Sequence, residues 1–322
     1  MHSMKRLTAL LFVILLISGC NSLYLTKTSQ TKELMGTSVK ITVLDLDKEK
    51  SIEAINDAFN EIELIEGILS IYKNTSEAYM LNEKGYLNDA NNELIYLLMK
   101  SIYYSELSDG AFDITVQPIL DLYTESFEIN KRPPTDEEIK ETLKIVGYEH
   151  MIIDGNDIRL RKNMKITFGG IAKGYIIDRA IGVLKEHNIE HALVDAGGDI
   201  RAIGKKETKD WSIALRNPRK ENEYLAIIKL NDKSVATSGD YERYFEPDKK
   251  FHHIVDPRTG YSATELISVT IITDNAIDAD ALATSVFVLG PEKGLELIES
   301  LENVEGLLIT SEREIIKSSG FN

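Results

Sequence analysis

Two oxygen-bearing side chains lie four residues apart in the apolar stretch 276–289. If the stretch is helical, Asp280 and Thr284 share one face and can meet at a single point. A carboxylate and a hydroxyl with no His or Cys nearby in sequence suit a hard cation such as Mg²⁺, which keeps positions for water and substrate phosphate. The alternative is structural: Asp280 caps a short helix, and Thr284 hydrogen-bonds its own backbone.

A glycine-rich loop, Gly169-Gly170-Ile171-Ala172-Lys173-Gly174, lies between a predicted strand and a predicted helix. Glycines let the backbone approach an anion, a helix N-terminus presents free N–H groups, and Lys173 adds a positive charge. This pattern predicts a phosphate-binding loop. The alternative is a tight turn with Lys173 in solvent.

A second glycine turn, Gly197-Gly198, is predicted between two strands, with Asp199 and Arg201 as a structural ion pair. Farther along the chain lies the pair His252-His253. Adjacent residues on a strand point to opposite faces, so a zinc cluster is not expected. His253 is predicted as a base or a hydrogen-bond donor to phosphate, with a structural histidine as the alternative.

The segment 110–116 follows a predicted helix and carries two more candidates. Asp113 is a candidate acceptor of hydrogen bonds from an amino-bearing ring or a ribose, and Phe112 offers a ring for stacking. From the pattern alone, a helix-to-strand corner explains the segment equally well.

The chain of 322 residues is 43% hydrophobic, which is enough for a folded core, and its formal charge is −15. That charge argues against a nucleic-acid partner. It also repels phosphorylated ligands, so a phosphate site needs local Lys, Arg, N–H groups or a metal.

The first residues have the layout of an export signal. Lys5 and Arg6 precede an apolar run, and residues 1–19 are predicted to be a signal peptide. Cys20, the chain's only cysteine, follows Ile17-Ser18-Gly19 as in a bacterial lipobox, so we expect lipidation and an extracytoplasmic, membrane-anchored protein. Residues 20–32 are predicted to be the lipidated N-terminus and tether. A secreted protein with a free thiol is the alternative.

Hydrophobic periodicity predicts strands interleaved with helices over residues 33–322. We therefore expect an α+β fold with a mixed α/β body in one globular unit, or in two lobes. Predicted helices begin near residues 52, 92, 135, 172, 276 and 292; predicted strands lie near 39–44, 151–154, 157–161, 165–168, 192–194, 211–215, 225–230, 235–237, 267–272 and 306–309.

Taken together, these segments resemble the ApbE family of flavin transferases, the FAD:protein FMN transferases. The resemblance covers nearly the whole exported part, from Met35-Gly36-Thr37 to residue 294, and its most specific stretches occur in the family's order. These stretches are 110–116, 169–174, 197–201, 237–244, 252–260 and 278–284. Members are commonly bacterial lipoproteins, which agrees with Cys20.

The resemblance implies a Mg²⁺-dependent transfer of FMN from FAD to a threonine hydroxyl of an acceptor protein, with release of AMP. FAD is then the substrate and Mg²⁺ the cofactor. Two alternatives stay open from the sequence. One is a Mg²⁺-dependent FAD pyrophosphatase that gives FMN and AMP, and the other is a lipoprotein that binds FAD without chemistry.

The resemblance also implies roles for individual residues. His253 would be the base. The FAD-binding residues would be Met35, Tyr72, Ala111, Phe112, Asp113, Thr167, Lys173 and Ile254, and the metal-binding residues would be Gly170, Asp280, Ala283 and Thr284. This sequence departs from the family at Thr167, where many relatives carry Asp. A hydroxyl can hydrogen-bond the nucleotide but brings no charge, so the contact expected from the family's Asp is changed here.

Overall fold

The computed structural model describes residues 25–220, 223–246 and 251–321. The predicted signal peptide, Cys20 and the first residues of the predicted tether lie outside this described part. Of the helices within it, none has the length and apolar character needed to cross a bilayer.

The elements follow one another in a mixed order of strands and helices. The strands are β1 (Thr26–Leu34), β2 (Thr37–Asp45), β3 (Tyr86–Leu87), β4 (Ile152–Asp154), β5 (Asp157–Arg159), β6 (Ala192–Ala196), β7 (Asp199–Ile203), β8 (Trp211–Arg216), β9 (Tyr224–Leu230), β10 (Lys233–Gly239), β11 (Leu266–Thr273), β12 (Glu305–Thr310) and β13 (Ile315–Lys317). The helices are α1 (Lys48–Leu69), α2 (Glu77–Lys84), α3 (Asn92–Leu107), α4 (Gln117–Glu128), α5 (Asp136–Leu143), α6 (Ala172–Glu186), α7 (Ala276–Leu289) and α8 (Pro291–Ser300).

A sheet of eight strands, in the order β1-β2-β6-β7-β10-β11-β12-β13, forms the centre of the fold. Its neighbouring strands all pair antiparallel. Side chains alternate between the two faces, so Val39, Ile41 and Val43 of β2 enter the main core while Leu44 enters a second core. An antiparallel sheet with helices confirms the predicted α+β class.

The two faces of the sheet are covered differently. Helices α1, α6 and α7 pack on the face of the main core. The antiparallel pair β8–β9 contributes Trp211, Leu215, Ile228 and Leu230 to the second core. Each face of the sheet is therefore buried, and the polar residues along β7 and β10 that face the helices need partners there.

Local sequence explains where the helices begin. Asp47 caps α1 by accepting hydrogen bonds from the backbone N–H groups of Glu49 and Lys50. The predicted capping box at α5 is confirmed, since Thr135 and Glu138 each accept a hydrogen bond from the other's backbone N–H.

Two predicted boundaries are wrong. The tether does not extend to Lys32, because Thr26–Leu34 form β1 and pair with β2 along their whole length. Residues 165–168 are not a strand. The backbone of Ile166 is hydrogen-bonded to the side-chain amide of Asn82 and not to a neighbouring strand. The amide donates to the carbonyl of Ile166 (2.8 Å) and accepts from the N–H of Ile166 (2.7 Å).

The predicted helix-to-strand corner at Asp113 is also wrong. A single 3₁₀ turn, Ile114–Val116, leads directly into α4. Asp113 caps that turn, which explains why a carboxylate stands at the corner.

Candidate functional site

Helices α6 and α7 meet closely at their N-terminal ends. A Cβ atom at Gly174 would lie 2.2 Å from the carbonyl oxygen of Ala276, so only glycine permits this approach. The carboxylate of Asp178 on α6 accepts hydrogen bonds from the N–H groups of Ala276 and Ile277, each at 2.9 Å. The first turn of α7 is thereby fixed against α6.

Asp280 lies inside α7 and is 4% exposed. Its Oδ2 accepts a hydrogen bond from the backbone N–H of Gly174 (3.0 Å), in the first turn of α6, a helix that has no side-chain cap from its own N-cap residue. Asp280 therefore does not cap its own helix, as the structural alternative held. It caps the neighbouring one and is held rigidly by it.

Lys173 is partly exposed and forms an ion pair with Asp199 at the start of β7, so it is not simply a solvated lysine. Asp199 also accepts from the backbone N–H of Thr237 (3.2 Å) on β10. The predicted ion pair between Asp199 and Arg201 is wrong, because Arg201 pairs with Asp178. Both strand residues point toward α6, where each finds its own partner of opposite charge.

Burial and the neighbouring charges shift the pKa values of this cluster. Burial, followed by the negative charge of Asp199, raises the pKa of Asp280 to about 7, against the opposing effect of Lys173. Burial lowers the pKa of Lys173, but the charges of Asp199 and Asp280 outweigh burial and raise it overall. Two carboxylates and one ammonium thus share a site where one carboxylate lacks a matching charge.

Thr284 lies one turn beyond Asp280 on α7. Its Oγ1 lies 3.3 Å from the hydroxyl of Ser238 on β10, so the side chain is directed at the sheet and not back at its own helix. A Cβ atom at Gly170 would lie 2.8 Å from Oγ1 of Thr284, which places the backbone of the glycine loop against this hydroxyl. The structural alternative for Thr284 is therefore wrong as well.

The glycine loop, Asp280 and Thr284 together offer a carboxylate, a hydroxyl and backbone oxygen. No three His, Cys, Asp or Glu side chains gather as metal ligands within the described ranges. Oxygen donors from Asp280, Thr284 and the backbone suit Mg²⁺, which takes few protein ligands, better than zinc, which prefers His and Cys. Ala283 is fully buried beside Thr284 and has no side-chain donor to contribute.

The predicted cradle of free N–H groups at the start of α6 is wrong. The N–H groups of Ile171 and Ala172 donate to the carbonyl of Phe168, and the N–H of Gly174 donates to Asp280. Positive charge at the loop consequently comes from Lys173 and not from the helix N-terminus.

His253 has one ring nitrogen committed to the backbone. Nδ1 lies 2.9 Å from the carbonyl oxygen of Arg243, which can only accept, so Nδ1 carries the proton. Nε2 has no hydrogen-bond partner among the described residues and presents its lone pair. Burial, together with nearby positive charges that include Lys173, lowers the pKa of His253 to about 4. The ring is neutral at pH 7 and able to accept a proton.

His252 serves a different purpose. Its Nε2 lies 2.8 Å from the carbonyl oxygen of Ala263, and its ring contacts Phe287 edge-on. The two histidines use different carbonyls, as expected for neighbours that point apart, and His252 belongs to the core.

Met35 and Tyr72 lie at the edge of this region. Met35 is at the β1–β2 turn with a positive φ of 54°, and its N–H donates to Glu66 (3.2 Å), which also pairs with Lys73 (2.9 Å). Tyr72 is therefore near the same turn and is 79% exposed. A Cβ atom at Gly197 would lie 2.3 Å from Oγ1 of Thr37, so the turn abuts the loop that precedes Asp199.

The segment 111–113 joins the site through Thr167, whose N–H donates to the carbonyl of Ile114 (2.7 Å). Two expectations for its side chains are wrong. Phe112 is 3% exposed and packs edge-on against Tyr104, so its ring gives no stacking surface. The Asp113 carboxylate is occupied by Thr115 and by the N–H of Tyr148 (2.9 Å), and burial raises its pKa.

Ala111 and Ile254 are buried apolar residues of the main core. They shape the interior beside the site but offer it no polar side chain.

Sequence reasoning missed three polar residues around the site. Asp199 pairs with Lys173 and not with Arg201, and the hydroxyl of Ser238 lies 3.3 Å from that of Thr284. Arg219, before β9, forms a two-bond ion pair with Asp240 (2.8 and 2.5 Å) just after β10. These contacts join residues that are far apart in sequence, so no local sequence pattern predicts them.

Comparison with known proteins shows the family of this chain. The model of the ApbE family matches residues 35–308. The chain is similar to the FAD:protein FMN transferase of Haemophilus influenzae, with 33% identity covering 90% of this chain and 89% of that protein. The FAD:protein FMN transferase of Klebsiella pneumoniae is 30% identical, covering 90% and 92%.

Solved structures with the same fold include two relatives. The ApbE protein of Thermotoga maritima aligns with a TM-score of 0.83 at 33% identity, covering 91% of this chain and 97% of that one. The flavin transferase ApbE of Vibrio cholerae aligns with a TM-score of 0.79 at 27% identity, covering 92% and 98%.

Proposed function

Because the chain belongs to the ApbE family, we propose that it is an FAD:protein FMN transferase. It moves the FMN half of FAD to a threonine hydroxyl of an acceptor protein and releases AMP. The observation that carries the proposal is a chain of contacts between α6, α7 and β10: Asp280 binds the N–H of Gly174, the Gly170 backbone abuts Thr284, and Thr284 contacts Ser238.

The reaction exchanges the phosphoanhydride bond of the diphosphate for a phosphate ester bond to threonine. The threonine oxygen forms a bond to the phosphorus of the FMN half, and the bond from that phosphorus to the bridging oxygen breaks. The bridging oxygen leaves with AMP, and the threonine proton goes to a base. His253 suits this role, since it is neutral at pH 7 and its Nε2 presents a lone pair.

Charge on the diphosphate must be neutralised for the leaving group to depart. Asp280, Thr284 and a backbone oxygen of Gly170 are the residues we propose to hold Mg²⁺. When bound, Mg²⁺ neutralises phosphate charge and orients the diphosphate. The carboxylate without a matching positive charge supports this assignment, because a cation at Asp280 would supply that charge.

Lys173 provides the positive charge that the chain itself brings to the site. Its contact with Asp199 fixes the ammonium group against β7, so little reorganisation is needed when an anion arrives. Met35, Tyr72, Ala111, Thr167 and Ile254 are proposed to line the flavin nucleotide, with Phe112 and Asp113 supporting that wall from within the fold.

We also propose that Cys20 is lipidated after removal of residues 1–19 and that the protein works outside the cytoplasm, anchored to the bacterial membrane. The lipobox-like Ile17-Ser18-Gly19-Cys20 supports this placement. A threonine of another exported protein is then the natural acceptor.

Co-expression with candidate exported acceptors, followed by mass spectrometry of each acceptor, tests the proposal. We expect an FMN adduct on a threonine and, with purified components, one AMP for each adduct. Free FMN and AMP without any adduct would indicate a pyrophosphatase. Intact FAD after long incubation with Mg²⁺ would indicate a binding protein.

A further inference from the structure

A concave groove of about 890 Å³ lies between the end of α2 and the segment that precedes the glycine loop. Its walls are residues 82–86 with 88, and residues 159–165. We call it the basic groove, because its lining carries the cations Lys84, Arg159, Arg161, Lys162 and Lys165 and the single carboxylate Glu83.

Four of these cations have no charged partner. Lys165 pairs with Asp121 at 2.8 Å. Lys84, Arg159, Arg161 and Lys162 are exposed, and within the described ranges none of them forms an ion pair. In a chain whose formal charge is −15, a concave surface with this excess of positive charge favours a negatively charged partner.

The polypeptide chain connects the basic groove to the site. Its floor runs from Met164 and Lys165 into Ile166, where both backbone groups are held by the Asn82 amide. The chain then passes through Thr167, which is tied to Ile114, and reaches Gly169 and Gly170. Lys165 in the groove is five residues before Gly170, so their Cα atoms are at most about 18 Å apart, a distance that a short segment of an acceptor can span.

We propose that the basic groove binds an acidic segment of the acceptor protein, near the threonine that receives FMN. This inference rests on the proposed function, which requires a polypeptide beside the site. An extended polypeptide can fill a concave groove, whereas a flat bilayer surface would leave the interior of the groove empty. Tyr86, 52% exposed in the lining, adds an apolar contact that suits a peptide.

The test compares two variants that change the net charge equally. R161E/K162E reverses two groove cations, and K205E/K206E reverses two exposed lysines in the loop after β7, at the strand end away from Asp199. The probes are a fluorescein-labelled peptide that alternates Glu and Ser around one Thr, its Gln-for-Glu counterpart, and vesicles of pure phosphatidylglycerol. Anisotropy reports peptide binding and sedimentation reports vesicle binding.

We expect R161E/K162E to weaken binding of the Glu peptide about tenfold or more at low salt, while K205E/K206E binds like the unchanged protein. The Gln peptide should bind weakly to all three proteins, and their affinity for FAD should be equal. Equal Glu-peptide binding by both variants would overturn the proposal.

Two other outcomes would also overturn it. Loss of vesicle binding by R161E/K162E with unchanged Glu-peptide binding would assign the groove to lipid headgroups, and a weaker affinity for FAD would assign it to the nucleotide. Peptide binding is measured without catalysis. A protein that binds the Glu peptide but flavinylates nothing would therefore refute the proposed function and leave the groove assignment standing.

Discussion

At the scale of single residues, the site depends on the buried carboxylate of Asp280, which has two roles. Asp280 caps α6 through the N–H of Gly174 and faces the position where we propose a cation. Its nearest charges are one ammonium, Lys173, and a second carboxylate, Asp199. Because the bond from the N–H of Gly174 needs an oxygen acceptor and no charge, an amide at this position can keep the cap while losing the charge.

Asp280→Asn is therefore expected to separate function from folding. The amide oxygen can still accept from Gly174, so the melting temperature should stay close to that of the unchanged protein. Flavin transfer should fall about a hundredfold or more, because the charged metal ligand is gone. Asp278→Asn on the same helix is the matched control, since Asp278 bonds Tyr104 (2.5 Å) outside the site. Full transfer by Asp280→Asn in Mg²⁺ buffer would discard the metal assignment.

His253 gives a prediction about pH. The pKa of His253 is lowered from 6.5 to about 4 in the folded protein. Between pH 6.5 and pH 4 the folded protein therefore keeps this ring neutral, whereas the unfolded chain binds a proton at the same ring. Stability contributed by the neutral ring is present above pH 6.5 and is lost as the pH falls toward 4. The ring's NMR resonance in Mg²⁺-free buffer, assigned with His253→Gln, should titrate near 4. A midpoint near 6.5 would contradict the partly buried, neutral ring.

At the scale of elements, the site depends on how closely α6 approaches α7. Gly174 makes that approach possible, Asp178 fixes the first turn of α7, and Asp280 returns a cap to α6. The two helices exchange hydrogen bonds in both directions across one contact. The position of Thr284 relative to Gly170 follows from this contact, so a shift of either helix separates the proposed metal ligands.

Two glycines of α6 allow a matched test. Gly174→Ala places a methyl group against the Ala276 carbonyl and should lower the free energy of unfolding by about 2 kcal/mol or more. Gly182→Ala, with no atom within 4 Å of its new methyl, should raise it by about 0.5–1 kcal/mol through helix propensity. Urea denaturation measures both. Equal effects of the two substitutions would show that the helices are not in tight contact at Gly174.

At the scale of the whole molecule, an acidic protein is expected to act on a diphosphate and on a polypeptide. Its net charge is −15, yet Lys173 lies in the glycine loop and the basic groove, lined by residues that precede that loop in the chain, carries an excess of positive charge. The first described strand, β1, begins at Thr26, so few residues separate Cys20 from the folded body. A lipidated Cys20 would hold the folded body close to the membrane surface.

Cys20→Ser tests that placement. Without a thiol to lipidate, the protein should move from the membrane fraction to the soluble exported fraction, and its specific flavin transfer in detergent should not change. Immunoblotting of fractionated cells and a transfer assay on the purified variant measure the two effects. A variant that stays in the membrane fraction would show that another segment provides the anchor.

The sequence predicted the elements well where burial is periodic. The apolar spacing of α1 and the alternation in β2 identify both elements, since one face of each enters the core. It failed where one strand resembles a linker: β1 is an edge strand of mostly polar residues. The strand predicted at Ile166 is wrong because the backbone N–H and carbonyl of this residue bond the side-chain amide of Asn82. Asn82 lies 84 residues away, so no local pattern predicts that contact.

The candidate site was predictable in part. Asp280 and Thr284 share a helix face, so their spacing was enough to bring them together. Asp199 pairs with Lys173 only because β7 lies under α6, and no spacing within β7 predicts a partner on a helix. Phe112 and Asp113 have residue types suited to a ligand site, but their burial and their protein partners commit them to the fold.

The most direct test of the central claim is a crystal structure with FAD and Mn²⁺, in which anomalous scattering locates the cation. We expect the cation within about 2.2 Å of oxygen atoms of Asp280 and Thr284 and in contact with the diphosphate. A cation bound elsewhere, or a diphosphate that lies away from residues 280–284 and Lys173, would contradict the account.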